Sequence, residues 1–163
     1  LKRKLNLLFF SIAAMLFLNA CSSSSNASDA DLFQYKGSYV GDNSAIVNTI
    51  IHLNGAKQFK SLELQTKEEP YGITVEYDMS ESQIDKQQIA INNAAYLFTL
   101  IQNLDWVSFN FQMADGKDEI KITRKALEKW YEIELSEIKT EKDLKELIQD
   151  HFEDEQKAVQ LIN

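Results

Sequence analysis

A lone thiol, two imidazoles and a surplus of carboxylates are the groups in this chain with chemical potential, and their spacing limits what each can do. Cys21 is the only cysteine in 163 residues, so no intramolecular disulfide forms and the thiol has a separate task or none. Nucleophilic catalysis needs a base beside an activated hydroxyl or thiol. The sequence has no Gly-x-Ser-x-Gly turn, and its two histidines, His52 and His151, fall in helical stretches that read as solvated or core-edge positions. In His151-Phe152-Glu153-Asp154-Glu155 only His151 and Glu155, four apart, share a helix face. A zinc site wants three or four ligands, so no metal and no cofactor are expected. Asp115-Gly116-Lys117-Asp118-Glu119 lacks the ligand spacing of a calcium loop and reads as a hairpin turn. Glycosidic chemistry needs two carboxylates facing across a cleft; Glu68 and Glu69 sit side by side at a turn, where solvation is the default. The five glycines are scattered and form no phosphate loop. No catalytic residue is nominated, and a carboxylate-dependent cell-envelope hydrolase is the alternative to a non-catalytic role.

The stretch ahead of Cys21 determines what its thiol is for. Lys2, Arg3 and Lys4 lead an apolar run from Leu5 to Leu18, closed by Leu18-Asn19-Ala20-Cys21, which is the order of a secretory signal. The closing tetrapeptide resembles the lipobox of bacterial lipoproteins, with Leu18 and Ala20 of the usual type and Asn19 departing from the small or β-branched residue common there. That resemblance implies a diacylglyceryl thioether on Cys21 and cleavage just before it. The run is shorter than the roughly 20 residues that span a bilayer, and two acyl chains suffice for a stable anchor. Residues 1–20 therefore read as a lipoprotein signal peptide and 21–30 as a serine-rich flexible tether. Residues 31–163 form a single domain, expected on the extracytoplasmic face of the cell membrane. Seventeen Lys and Arg against 25 Asp and Glu give a net charge of −8, more acidic once the leader is removed. Such a field repels nucleic acid and favours cationic peptides or metal ions.

The elements of the domain follow from periodicity. Aromatic-rich Asp31 to Asn43, punctuated by Gly37 and Gly41, reads as an extended lead-in ending at Asp42 or Asn43, either of which can cap a helix. Ile46, Val47, Ile50 and Ile51 predict one face of that helix, and Gly55 its end. Leu62, Leu64 and Thr66, then Ile73, Val75, Tyr77 and Met79, alternate with polar residues across Glu69-Pro70-Tyr71-Gly72, which suits a type I turn. A long helix from about Asp85 to Asn103 carries a broad apolar arc that leaves Asn92, Thr99 and Gln102 outside. A second hairpin pairs Val107, Phe109, Phe111 and Met113 with Ile120 and Ile122 through Ala114-Asp115-Gly116-Lys117. Thr123 and Thr140 cap two further helices, carrying Leu127, Trp130 and Tyr131, and Leu144, Leu147, Ile148 and Phe152. The sum is a two-layer α+β domain: a four-stranded, mainly antiparallel sheet of two hairpins with helices packed on one face. If the strands flanking the long helix are parallel neighbours, that helix is a crossover.

The remaining candidate is surface. Tyr35, Tyr39, Tyr71 and Trp106 are large amphipathic side chains in or beside connections, and with Asp42 and Asn43 they form the candidate interaction surface. The wet sheet face, with Gln65, Thr74, Glu76, Ser108, Asn110 and Gln112, suits a peptide or a saccharide.

Leu32-Phe33-Gln34-Tyr35-Lys36, Tyr39-Val40-Gly41-Asp42-Asn43-Ser44, Leu62-Glu63-Leu64-Gln65-Thr66, Pro70-Tyr71-Gly72-Ile73-Thr74-Val75 and Ile122-Thr123-Arg124 together resemble a family of small extracytoplasmic domains of low-GC Gram-positive bacteria, domain of unknown function 4825. The resemblance spans about Leu32 to Tyr131. Members occur as lone lipoproteins and on the outer side of membrane metallopeptidase-like sensors, which implies a binding, sensing or inhibitory module and supplies no catalytic residues. The expected partners are the membrane, through the lipid, and a membrane protein or peptide; a purely structural envelope protein is a third reading.

Overall fold

The computed structural model describes residues 31–152. The expected signal peptide, Cys21, the whole of the expected tether and Glu155 lie outside the described residues. The helices are α1 (Asn43–Ile50), α2 (Lys86–Leu100), α3 (Arg124–Tyr131) and α4 (Glu141–Phe152); the strands are β1 (Phe59–Gln65), β2 (Gly72–Asp78), β3 (Trp106–Met113) and β4 (Gly116–Thr123). Single 3-10 turns lie at Leu32–Tyr35, Ala56–Gln58 and Leu135–Glu137.

The strands lie in the order β1-β2-β3-β4. The outer pairs are antiparallel hairpins and the central pair, β2 with β3, is parallel. A parallel neighbour cannot be reached by a tight turn, and α2 makes the crossing, as the predicted helix between the hairpins requires. The fold is α+β, with a mixed, mostly antiparallel sheet. One sheet face carries Ile73, Val75, Tyr77, Val107, Phe109, Phe111, Ile120 and Ile122, all buried. Tyr77 stacks on Phe111 at 5.5 Å and Phe109 lies 6.5 Å from Phe111, so a row of aromatic rings floors the helical layer.

Helix α2 is the centre of that layer. It starts where Asp85 accepts hydrogen bonds from the backbone N–H of Gln87 and Gln88. From Ile89 to Leu100 every residue but Asn92 is buried. Thr99, expected outside, is 4 % exposed, because residues 32–36 and 135–138 cover the face of α2 turned away from the sheet. Asn93 is also interior, donating from Nδ2 to the carbonyl of Asn54 at 2.9 Å and to the Tyr77 hydroxyl at 3.0 Å.

Three further expectations change. The lead-in is a 3-10 turn, held by Asp31 accepting from the N–H of Phe33, and not an extended segment. Helix α1 buries Ala45, Ile46, Thr49 and Ile50; it stops at Ile50, so Ile51 falls beyond its last turn and is 42 % exposed. The first hairpin closes at the Gln65–Gly72 pair, and its residues 66–71 form a wide loop with a cis Glu69–Pro70 peptide in place of a tight type I turn. The caps at Asp42, Thr123 and Thr140 are made as expected. Among the described residues no helix is long and apolar enough to cross a membrane.

Candidate binding face

Strand alternation places a second set of side chains on the sheet face away from the helices. Register aligns Glu63, Thr74, Ser108 and Lys121 in one row across the four strands, and Ser61, Glu76, Asn110 and Glu119 in the next. One hydrogen bond joins the rows and another ties the second row across β2 and β3. The Ser108 hydroxyl donates to Glu119 Oε1 at 2.7 Å, and Asn110 Nδ2 donates to Glu76 Oε1 at 2.7 Å. Gln112 is spent on its own hairpin, donating to the carbonyls of Met113 and Gly116. At one rim Asp78 accepts from the Ser80 hydroxyl at 2.6 Å and pairs with Lys60 at 3.0 Å, which together hold its carboxyl down to about 2.

Trp106 interrupts this polar surface. It shares a row with Gly72, and the indole lies directly against that glycine: a Cβ there would stand 1.9 Å from Trp106 Cε2. The ring has this place because residue 72 has no side chain. Its Nε1–H donates to the carbonyl of Pro70 at 3.1 Å, and the Lys121 ammonium sits 4.0 Å from its ring centroid, a cation–π distance. Behind the ring, Asp105 clamps the loop to β3: its carboxylate accepts from the N–H of Tyr71 at 2.7 Å and its own N–H donates to the Tyr71 carbonyl at 2.9 Å. Tyr71 and Trp106 are thus brought to one place. Beside the ring runs an open groove of about 390 Å³, lined by Glu63, Gln65, Lys67, Glu68, Thr74 and Trp106 among others.

Tyr35, Tyr39, Asp42 and Asn43 belong to a separate segment that laces onto the residues following α2. The Ser38 carbonyl accepts from the N–H of Gln102 at 2.8 Å, and the N–H of Val40 donates to Asn103 Oδ1 at 2.8 Å. Asp42 spends its carboxylate on the N–H of Ala45 as the α1 cap. Tyr35 is half-buried against the core; Tyr39, 57 % exposed, and Asn43 face solvent. The six nominated residues therefore form two groups, of which the Tyr71–Trp106 group borders a groove. Neither histidine adjoins that groove: His52 Nδ1 lies 2.7 Å from the Asn48 carbonyl, and His151 packs edge-on against Trp130 and Tyr131. Among the described residues no three His, Cys, Asp or Glu side chains gather as a metal site.

A protein-family model described as Domain of unknown function (DUF4825) matches residues 32–123. The chain belongs to that family. No curated protein and no solved structure gives a significant match. In this DUF4825 domain three of the segments quoted above meet at the end of α2 and the start of β3: Tyr39 to Ser44 docks there, Pro70-Tyr71-Gly72 seats Trp106, and Ile122-Thr123-Arg124 supplies the residue that sequence reasoning missed. Arg124 donates from Nε to the Leu104 carbonyl at 2.8 Å, from Nη1 to Phe98 at 2.8 Å and from Nη2 to Ile101 at 2.7 Å. Lys36 Nζ adds bonds to the carbonyls of Thr99 and Ser136. Two cations thus serve the carbonyls that a helix end leaves without partners. Burial lowers the pKa of Arg124, opposed by Glu128; burial, then Arg124, lowers that of Lys36.

Proposed function

We propose that this DUF4825 chain is a lipid-anchored binding or sensing module, held through Cys21 on the outer surface of a bacterial cell membrane and making protein or peptide contacts with the outer face of its sheet. The observation that carries the contact surface is Trp106, the one aromatic side chain on an otherwise polar sheet face, held there by Gly72 and the Pro70 carbonyl. Such a side chain, amphipathic and fixed in place, loses little conformational freedom on binding and anchors interfaces well. The leader, the lipobox resemblance and the serine tether support the anchor. Crosslinking in intact cells followed by pulldown of the chain tests this reading: recovery of a membrane or extracytoplasmic protein is the expected result, and recovery of nothing above background would overturn it. Mass spectrometry of the purified chain should find an acylated Cys21 at its N-terminus; an unmodified thiol there would remove the anchor.

A further inference from the structure

We infer that the groove beside Trp106 receives a lysine or arginine side chain of a basic peptide segment, which takes the position over the indole now held by Lys121. This inference rests on the binding-module reading and names the chemistry of the partner.

Three observations carry it. The Lys121 ammonium lies 4.0 Å from the ring centroid, so the indole already serves as a cation seat. The groove beside the ring is lined by the acidic residues Glu63 and Glu68 and by Thr66 and Thr74, with Lys67 the one cation among its lining residues. The chain as a whole carries a net charge of −8, which draws a basic segment toward it and keeps acidic ligands away. Lys121 is exposed and long, so leaving the ring costs it little, and Glu119 lies two residues away on the same strand face as an alternative partner. The groove also adjoins β1, an edge strand of the sheet, where an extended peptide can run alongside and present its side chains. Lys121 thus keeps the seat filled until a better-placed cation arrives, one that meets both the indole and the carboxylates of the groove.

Competition for the seat gives a test whose signs are opposite for neighbouring residues. Octalysine is titrated calorimetrically into the full chain at physiological salt, where diffuse attraction to an acidic surface is screened, with octaglutamate and a chitin oligosaccharide as comparison probes. The expected result is saturable octalysine binding that weakens roughly ten-fold in Trp106→Ala, weakens in Glu63→Gln combined with Glu68→Gln, and tightens about three-fold in Lys121→Met, which removes the competing ammonium. Lys121→Met alters an exposed side chain and leaves the core intact, so its effect stands even if Trp106→Ala disturbs the fold. Weaker octalysine binding in Lys121→Met, or binding indifferent to Trp106, would overturn the inference; so would octaglutamate or the oligosaccharide binding in a Trp106-dependent way while octalysine does not. If cellular crosslinking still recovers a protein partner in those cases, the binding-module reading survives and only the basic-peptide assignment falls.

Discussion

Single residues at the end of α2 and the start of β3 hold the proposed binding face in shape. Arg124 bonds the carbonyls of Phe98, Ile101 and Leu104 at 2.7–2.8 Å and that of Gln102 at 3.4 Å in a half-buried setting, and a lysine, with one compact ammonium, does not match that spread. Arg124→Lys is expected to lower unfolding stability by about 2 kcal/mol and Arg124→Ala by about 3, read from urea midpoints; equal midpoints for all three chains would contradict the capping role. Gly72 acts through space it leaves empty. Gly72→Ala is expected to expel the indole and cost about 1–3 kcal/mol, and Trp106→Ala introduced with it should restore most of that loss, as contacting residues in a double-mutant cycle do. Independent, additive losses would mean that the ring does not depend on the glycine. Trp106 and Tyr71 were legible from sequence as amphipathic residues at connections. The glycine beneath the indole and Lys121 over it were not, because both act across strands, in a register that local pattern does not reveal. Asp42 was legible twice, as a cap and as a surface candidate, and the structure uses it as the cap.

At the scale of elements, alternation was a sufficient guide for the strands, since each has one wet and one dry face, and the cap residues Asp42, Thr123 and Thr140 announced three of the four helices. It failed for the back of α2. A helix buried on nearly every side has no polar stripe to read, and Asn93 and Thr99 enter the interior because neighbouring turns bury them. It failed as well for the 66–71 loop, where proline and glycine positions suit a tight turn but the strands close further apart. The α2–sheet interface carries a pH signature. Burial raises the hydroxyl of Tyr77 to about 12, against an ordinary 10.0, with the Asn93 bond opposing, and burial likewise raises Tyr96 and Tyr131. The unfolded chain therefore loses these protons first, so stability present below pH 10 declines as pH rises from about 10 to about 12. Urea midpoints measured across that window should fall, and Tyr77→Phe should fall less steeply; a flat profile in the parent chain would contradict the burial of these hydroxyls. Phe109→Ala, at the floor of the same interface, is expected to cost about 3–5 kcal/mol, read from the same urea midpoints.

For the whole molecule, the division of labour is between the two faces of one sheet. The dry face and its helices hold the domain together without a disulfide, while the wet face, cross-bonded by Ser108 with Glu119 and Asn110 with Glu76, presents a fixed polar surface with a single indole. The acidity of the chain is plain in its sequence, and it favours neutral or basic surfaces for the proposed partner. The measurement that tests the account most directly is photo-crosslinking in intact cells from two positions, Gln65 at the groove on the outer sheet face and Lys142 exposed on α4. A protein adduct formed from Gln65 and lost with Trp106→Ala is the predicted result. Adducts from Lys142 alone, or from neither position, would contradict the claim that this domain works through the outer face of its sheet.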